Sequence, residues 1–581
     1  MRSLSQAWQQ LTMYRFEISR ANVLTTSTIA FVRDAILKRM RAIPLKLWLL
    51  AVLSAVLQML PFPLAGPVPL WRRAFCWICL TPLLWIILYG KNKQGSVLKP
   101  SQAAWLGYKC GTAWYLGNCY WIYQTMYIYG GLPKPVALGI LLLFSLYLGL
   151  YLAVFAGILG WLGQLHSPLF ALCAAPFLWV AVELARTQVT GFPWDLLGYT
   201  QIDNLLLTRL APWTGVMGLS LLVAIGNCLW MLPLMQRNFP RKLAAVSIAA
   251  LVFIACEGTL AYKGSNSVPG DKTYAVLLQE NLKVGAEANG PSESKEQMLD
   301  SFTQWSLHPK LGISTASADN NSAQVSSIPP TVIVWPEAPA DFWDNDPVFQ
   351  NSLSNLAREQ HVPVIADEVT IAPRDAQGVG HLYNSARFVH ADGSAAGRYD
   401  KMHLVPFGEY TPYKPLFFFA GHLLDNLPFV PGNARRLFAD NGHRYGVFIC
   451  YESIFGDEIR RFVADGADVL VNISDDGWYG DTSAPWEHLD MARMRAIEND
   501  RWLLRATNTG VTTSIDPEGR ITTQLPRHIR SALAAPFGYE QNLTFYTRHG
   551  DWLGWLCALL SACALCWGFV RGRFTHSAQV H

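Results

Sequence analysis

The chain is most informative at Tyr445-Gly446-Val447-Phe448-Ile449-Cys450-Tyr451-Glu452, where an apolar run ends in a cysteine. An uninterrupted apolar run this short is typical of a β-strand that is buried on both faces. A side chain that directly follows such a strand is held rigidly, because the sheet fixes the backbone that carries it. The pattern therefore predicts a buried strand that presents Cys450 at its end.

Similar apolar runs recur on both sides of this strand and alternate with helical patterns. The predicted strands are 274–278, 331–335, 362–365, 445–449 and 468–473. Apolar residues return at three- and four-residue steps over 347–360 and 487–500, which predicts helices. Strands that alternate with helices indicate a layered α/β domain, which we place at 270–545.

Two further stretches of this domain carry reactive side chains. Val334-Trp335-Pro336-Glu337 ends in a carboxylate, and residues 400–409 read Asp-Lys-Met-His-Leu-Val-Pro-Phe-Gly-Glu. Taken singly, Glu337 could be a helix-start carboxylate, Lys401 a solvated surface cation and Cys450 a buried strand thiol. These structural explanations are the more common ones for isolated residues.

Together, the three side chains have the chemistry of nucleophilic catalysis. A free thiol has a pKa near roughly 8.5 and is mostly protonated at neutral pH, so it needs activation. A nearby carboxylate can accept the thiol proton, and a nearby ammonium favours negative charge on sulfur and then on an ester oxygen. Cys450, Glu337 and Lys401 therefore suit the transfer of an acyl group.

The composition indicates a membrane protein. Hydrophobic residues make up 51% of the 581 positions and charged residues 15%, against roughly 25% charged in an average soluble chain. A spanning helix needs about 20 mostly apolar residues. The eight candidate spans are 47–65, 74–90, 103–128, 136–162, 168–184, 213–234, 243–262 and 552–570. The third is interrupted by Lys109, Asn118 and Gln124, and a buried amphipathic helix is its alternative interpretation.

The distribution of basic residues predicts which side the α/β domain faces. Lys and Arg residues precede the first span and follow the second, sixth and eighth, which places these flanks in the cytoplasm. Arg72 and Arg73 lie on the other side and violate the rule. We expect a cytoplasmic or interfacial extension at 1–45, seven spans within 46–265, an external domain at 270–545, an eighth span at 551–572 and a cytoplasmic tail at 573–581.

The net charge and the positions of the cysteines argue against nucleic-acid binding, against a disulfide in the external domain and against a zinc site. The net charge of +4 is small for this length and forms no basic stripe with aromatics, so nucleic acid is not an expected partner. Of the eleven cysteines, Cys450 alone lies within 270–545, so no disulfide forms inside that domain. Cys76 and Cys79 have a zinc-like spacing but lack a second pair. We expect neither a metal nor a cofactor.

An apolar loop interrupts the external domain at 410–432. It contains Phe417, Phe418 and Phe419 among prolines and glycines. Such a loop can fold onto its own core, or in a membrane-tethered domain it can dip into lipid or cover an apolar substrate. By contrast, residues 311–330 are rich in Ser, Ala and Asn, which predicts a surface excursion.

Glu337, Lys401 and Cys450, in this order and with these neighbours, resemble the active site of the nitrilase superfamily. The eight spans and the motifs Trp-Pro-Glu, His-Leu-Val-Pro-Phe-Gly-Glu, Cys-Tyr-Glu and Met-Ala-Arg-Met-Arg-Ala resemble, more narrowly, bacterial apolipoprotein N-acyltransferase. Gly191-Phe192-Pro193-Trp194, Pro485-Trp486 with His488, and Thr507-Asn508-Thr509-Gly510 add to the likeness. The chain departs from the family where Gln279 is followed by Glu280 instead of glycine.

This resemblance implies a helical membrane bundle plus an αββα sandwich in the bacterial inner membrane, with the sandwich facing the periplasm. It also implies transfer of an acyl chain from a phospholipid to the amino group of a diacylated apolipoprotein. Cys450 is then the nucleophile, Glu337 the general base and Lys401 the cation that supports the oxyanion.

The same resemblance suggests supporting residues. Glu409 and Glu452 lie beside the triad, although Glu409 could simply hold Lys401, and Tyr451 lines the pocket. Trp194 and the three phenylalanines of the loop are candidates for lipid contact, although an interfacial tryptophan is commonly an anchor.

Two other functions are compatible with parts of the pattern. A membrane-anchored amidase or hydrolase would use the same triad, but a small polar amide requires neither eight spans nor an apolar loop. A transporter with an outer binding domain would carry paired ionisable residues at mid-membrane or symmetric repeats, and the sequence shows no internal repeat.

Overall fold

In the computed structural model, the placed residues are 40–577 except 237, 259–272, 286–292, 315–328, 338–341, 373, 375–377, 379 and 411–428. Twelve helices of nine or more residues occur in them. They are α1 Leu45–Met59, α2 Thr81–Tyr89, α3 Pro100–Asn118, α4 Lys134–Leu165, α5 Pro168–Ala185, α6 Val216–Met235, α7 Phe239–Gly258, α8 Lys295–Leu307, α9 Pro347–Gln360, α10 Gly456–Ala464, α11 Ala484–Asn499 and α12 Trp552–Ser577.

Short helical segments connect these elements. Those of the bundle are Leu70–Arg73, Ala74–Trp77, Trp121–Gln124, Thr125–Tyr129, Arg186–Thr190, Leu197–Gln201, Leu207–Leu210 and Ala211–Thr214. Those after the first strand are Cys450–Ile454, Asp476–Tyr479 and Phe545–His549.

Six helical stretches of the described chain are long and apolar enough to cross a membrane. They are Leu70–Tyr89, Lys134–Leu165, Pro168–Thr190, Val216–Met235, Phe239–Glu257 and Trp552–Val570. Two of the eight predicted spans are missing from this set. The helix α1 is apolar but has only 15 residues, whereas α3 has 19 residues but is not apolar enough, and the third predicted span is broken where α3 ends. The break at Cys119 falls beside Asn118, one of the polar residues that interrupt the apolar pattern.

Small residues allow the central helices of the bundle to approach closely. A Cβ atom at Gly107 on α3 would lie 2.4 Å from the carbonyl oxygen of Leu152 on α4. One at Gly149 on α4 would lie 2.6 Å from Oγ1 of Thr112. Close backbone approach of this kind is how membrane helices gain packing energy without a hydrophobic driving force.

The strands of the described chain form two seven-stranded sheets. The strands are β1 Thr273–Gln279, β2 Lys310–Leu311, β3 Ile313–Ser314, β4 Val332–Val334, β5 Val364–Ala372, β6 His381–Val389, β7 Ala395–Asp400, β8 Leu437–Asp440, β9 His443–Ile449, β10 Val469–Ser474, β11 Leu503–Thr507, β12 Thr513–Ile515, β13 Ile521–Gln524 and β14 Ser531–Phe537. The first sheet has the order β2-β14-β1-β4-β5-β6-β7 and the second β3-β13-β12-β11-β10-β9-β8.

Side-chain alternation shows how the sheets are layered. On β1, Val276 and Leu278 join a core with Phe349 and Leu353 of α9. Their neighbours Ala275 and Leu277 join the larger core that also contains the strands of the second sheet. Because successive side chains of a strand point to opposite faces, the first sheet has helices on one face and the second sheet on the other. This is the predicted αββα sandwich.

Ion pairs and hydrogen bonds join the bundle to the sandwich. Arg73, in the bundle, pairs with Asp203, whose other carboxylate oxygen lies 2.6 Å from Nη2 of Arg493 on α11. Nearby, the backbone N–H of Val216 donates to Oε1 of Glu498 at 2.9 Å. The helix α11 therefore connects the two parts.

Candidate active site

Cys450 lies at the carboxyl end of β9, where the strand turns into the short helix Cys450–Ile454. Its φ angle is 48°, in the left-handed region that residues with a Cβ atom rarely adopt. Only 5% of the residue is exposed. The sharp turn places Cys450 in a strained backbone conformation, and the surrounding structure must offset the strain.

Glu337 follows β4 at the corresponding end of the first sheet. Its Oε1 accepts hydrogen bonds from Nζ of Lys401 at 3.1 Å and from Nδ2 of Asn384 at 2.8 Å. Its Oε2 accepts one from the backbone N–H of Asp475 at 2.9 Å. The carboxylate is thereby fixed from both sheets, because Asn384 belongs to β6 and Asp475 follows β10.

Lys401 follows β7, and its side chain is 1% exposed. Besides Glu337, its Nζ contacts Oε1 of Glu409 at 2.9 Å. Asn384 donates to both carboxylates, at 2.8 Å and 3.0 Å. The ammonium is therefore held between two carboxylates that a single amide also bridges.

These contacts determine the charges of the pair. Burial opposes the charge on Lys401, but Glu337 and Glu409 outweigh it and hold the pKa of Lys401 well above its ordinary value. Burial also opposes the charge on Glu337, but Lys401 and Asn384 outweigh it and lower the pKa of that carboxyl. Both groups are charged at neutral pH.

The thiol of Cys450 completes the group, because Glu337 and Lys401 both act on its charge. Burial, and then the negative charge of Glu337, raises the pKa of this thiol well above its ordinary value, although Lys401 acts in the opposite direction. The resting enzyme therefore holds a protonated thiol beside a charged carboxylate that can accept its proton.

Glu452 and Glu409 hold the loops around this group. Glu452 accepts hydrogen bonds from the Tyr399 hydroxyl and from the backbone N–H groups of Met402, His403 and Ile449, at 2.7 Å, 2.7 Å, 3.1 Å and 2.8 Å. Burial raises the pKa of Glu452 to about 7 despite these donors. Glu409 accepts the backbone N–H of Val405 at 2.7 Å.

Comparison with known proteins agrees with this architecture. Residues 54–229 match the family model of the apolipoprotein N-acyltransferase N-terminal domain, and residues 294–535 match that of the carbon-nitrogen hydrolases. An apolipoprotein N-acyltransferase of Geobacter metallireducens is 34% identical over 545 residues, which cover 92% of this chain and 98% of the relative. The chain belongs to the apolipoprotein N-acyltransferase family.

Other relatives of this acyltransferase carry the same name. The apolipoprotein N-acyltransferase of Pseudomonas putida is 33% identical over 486 residues, which cover 82% of this chain and 90% of the relative. Among solved structures, an amidase from Nesterenkonia sp. has 16% sequence identity and a TM-score of 0.33, over 48% of this chain and 95% of that one.

The structure describes two of the remaining predicted site residues, Tyr451 and Trp194. The Tyr451 hydroxyl donates to the carbonyl oxygen of Gly191 at 3.3 Å, which links the nucleophile loop to the bundle. Trp194 has 0% exposure, and its indole N–H donates to Oε2 of Glu487 at 2.6 Å. Its contact with lipid stays a prediction. Phe417, Phe418 and Phe419 lie outside the described residues.

Several residues around the site were not predicted to have a role. Asn384 lies in the middle of β6, where a single asparagine carries no local signal. Asp475 follows β10, so the rule that applied to Cys450, a polar residue directly after a buried strand, could have identified it. His488 was part of a recognised motif, but its contact with the backbone of Cys450 depends on tertiary structure.

The arrangement provides a nucleophile, a proton acceptor and a fixed cation within one buried group. Acyl transfer requires these three functions. In the part of the chain that the structure describes, no group of three His, Cys, Asp or Glu residues could hold a metal ion.

Proposed function

We propose that this membrane enzyme transfers an acyl chain from a phospholipid to the α-amino group of an N-terminal diacylglyceryl-cysteine of apolipoproteins. This is the last step of bacterial lipoprotein maturation. The observation that carries the proposal is the buried group of Glu337, Lys401 and Cys450 in a chain that belongs to the apolipoprotein N-acyltransferase family.

In the first half-reaction, the Cys450 sulfur attacks the ester carbonyl carbon of the phospholipid while Glu337 accepts the thiol proton. The carbonyl oxygen becomes an oxyanion, which the Lys401 ammonium stabilises. When the tetrahedral intermediate collapses, the bond to the glycerol oxygen breaks and that oxygen takes the proton from Glu337. A thioester on Cys450 and a lysophospholipid result.

In the second half-reaction, the neutral amine of the apolipoprotein attacks the thioester carbonyl. Glu337 accepts a proton from the amine as the new C–N bond forms. The carbon–sulfur bond then breaks, and the sulfur leaves with that proton as the restored thiol. The two substrates therefore react one after the other at the same sulfur.

The supporting residues have positioning roles in this proposal. Glu409 holds the Lys401 ammonium, and Glu452 holds the loops that carry Lys401 and Cys450 through the N–H groups of Met402 and Ile449. Tyr451 shapes the acyl pocket. The phenylalanines at 417–419 contact lipid, since an apolar loop beside a bilayer has this use.

We propose that the chain lies in the inner membrane with its sandwich, residues 270–545, in the periplasm. The bundle then comprises 46–265 and the span at 551–572, while 1–45 form a cytoplasmic or interfacial extension and 573–581 a cytoplasmic tail. The support is the distribution of basic residues between the apolar segments.

Trapping of the acyl-enzyme tests the mechanism. Purified enzyme in detergent is incubated with phospholipid alone, and the mass of the peptide that contains Cys450 is measured. We expect one added acyl chain, which hydroxylamine removes, in the wild type and none in Cys450→Ala. Acylation that persists in Cys450→Ala would show that another residue carries the acyl group.

A further inference from the structure

Five exposed basic residues lie at one end of the bundle. They are Arg41, Lys46, Lys91, Lys93 and Lys99. The backbone N–H of Lys93 donates to the carbonyl oxygen of Ala42 at 2.8 Å, and that of Leu98 donates to the carbonyl oxygen of Gly90 at 3.1 Å. These bonds join the segment before α1 to the turn between α2 and α3. The five residues therefore form one basic cluster.

The sequence around the basic cluster provides no acidic residue to balance it. No aspartate or glutamate occurs between Asp34 and Glu183. Two helices also begin at the cluster, because Lys46 lies in the first turn of α1 and Lys99 is the N-cap residue of α3. The N-terminus of a helix carries a positive partial charge. The cluster therefore attracts an anion.

The basic cluster lies at the end of the bundle that is remote from the sandwich. Arg73, which contacts α11 through Asp203, lies near the start of the apolar stretch Leu70–Tyr89, and Lys91 follows its end. The stretch has 20 residues, and a helix of this length spans about 30 Å. An anion bound at the cluster is therefore separate from the acyl donor at Cys450.

An exposed apolar face of α1 adjoins the basic cluster. Its residues recur at three- and four-residue steps, so they lie on one side of the helix. Its far end is close to the sandwich side, because Nε of Arg72 donates to the carbonyl oxygen of Leu60 at 2.8 Å. The face therefore runs from the cluster along the depth of the membrane. Its residues, which are 44–70% exposed, are Leu45, Leu49, Val52, Leu53 and Val56.

We propose that the basic cluster and this face of α1 bind one anionic phospholipid, with its phosphate on the cluster and its acyl chains along α1. The position at the end of a span is the level at which headgroups lie. The apolar surface that continues from the cluster favours a lipid over a soluble anion. A zwitterionic headgroup carries an ammonium that the cluster repels, so the lipid is anionic.

Equilibrium binding of tritiated diether phospholipids to the full-length enzyme in detergent tests the site. Diether lipids contain no ester that Cys450 could attack. Phosphatidylglycerol is the anionic probe and phosphatidylcholine the zwitterionic one. The test variant combines Arg41→Gln, Lys91→Gln and Lys93→Gln. Each basic residue near an anionic headgroup strengthens binding by about fivefold, so phosphatidylglycerol should bind up to about 100-fold more weakly, down to the level of phosphatidylcholine.

A matched variant controls for the change in total charge. It combines Lys310→Gln, Arg358→Gln and Arg444→Gln, three exposed residues of the sandwich. It should bind phosphatidylglycerol within about threefold of wild type, because these charges lie beyond the range of screened interactions with the cluster. Sodium phosphate and sodium chloride of equal ionic strength should weaken the binding equally, because both act by screening. Thioester formation should be unchanged in both variants.

Three results would overturn the inference. The test variant could keep the wild-type preference for phosphatidylglycerol, or the control variant could lose it to the same extent, which would make total charge responsible. Stronger displacement by phosphate than by chloride would identify a site for a soluble anion instead. If the triple variant does not fold, Lys93→Gln alone decides, with an expected loss of about fivefold.

Discussion

Lys401 shows at the scale of a single residue how the site keeps a buried charge. Its side chain is 1% exposed, and removing an ammonium from water is costly unless carboxylates surround it. Here Glu337 and Glu409 do so at 3.1 Å and 2.9 Å. The cation that we propose to stabilise the oxyanion therefore also offsets the repulsion between two carboxylates.

Replacement of Lys401 by methionine should therefore reduce both stability and activity. We expect a loss of about 3–5 kcal/mol in the free energy of unfolding, because one partner of a buried ion pair is removed. Denaturant unfolding of the purified enzyme measures this loss, and the acyl-enzyme assay measures the expected absence of thioester.

The double variant Lys401→Met with Glu409→Gln is the control. It removes one of the two carboxylates left without a cation, so it should regain part of the stability but none of the acylation. A single variant as stable as the wild type, or one that still forms the thioester, would contradict the role given to Lys401.

At the scale of elements, the apolar runs predicted the central strands of the sandwich. The runs at 274–278, 331–335, 445–449 and 468–473 coincide with β1, β4, β9 and β10, and the two helical patterns coincide with α9 and α11. A buried strand with few polar residues to interrupt it gives a strong sequence signal. The positions of Cys450 and Glu337 at strand ends were predictable because each follows such a strand, whereas Lys401 follows β7, which is only partly buried and was not predicted.

The fifth apolar run shows where this reasoning is incomplete. The predicted strand at 362–365 is part of β5, which continues to Ala372 through Asp367, Glu368 and Thr370. Glu368 remains in a buried strand because Arg387 on β6 pairs with it. The partner is distant in sequence, so local pattern analysis ends the strand too early. Asn384 escaped prediction for the same reason.

The ion pairs between α11 and the bundle lead to a prediction at the scale of structural elements. Asp203 lies between Arg73 and Arg493, and these arginines outweigh the effect of burial and lower the pKa of its carboxyl. Asp203→Asn leaves the two arginines without their shared anion. We expect a loss of about 1–2 kcal/mol in the free energy of unfolding, because the carboxylate is partly exposed.

The pH dependence of this loss has a definite sign. A carboxyl with a lowered pKa in the folded state adds stability above its unfolded pKa and loses it as the pH falls through the folded value. The difference between wild type and Asp203→Asn should therefore begin to shrink below about pH 4 and disappear once the pH falls below the lowered folded pKa. The exposed Glu359→Gln on α9 is the control and should change stability little. A difference that grows in acid would contradict the assignment.

At the scale of the whole molecule, the proposed orientation can be tested with two introduced cysteines. Glu359 on α9 and Lys93, after α2, are both exposed. In intact cells whose outer membrane is permeabilised, an impermeant maleimide should label Glu359→Cys above the background of the native cysteines. Lys93→Cys should react only after the inner membrane is opened. The reverse pattern would place the sandwich in the cytoplasm.

A membrane bundle joined to a buried thiol site raises the question of which reaction the enzyme catalyses, acyl transfer or hydrolysis. The same triad can pass an acyl group to water or to an amine, and the residues of the triad do not distinguish these outcomes. What differs is the acceptor that reaches the thioester.

Mass spectrometry of a synthetic diacylated lipopeptide, incubated with purified enzyme and phospholipid, tests this directly. We predict that the lipopeptide gains one acyl chain on its α-amino group, and that Cys450→Ala abolishes the gain. Release of free fatty acid with the lipopeptide unchanged would contradict the account and identify a hydrolase.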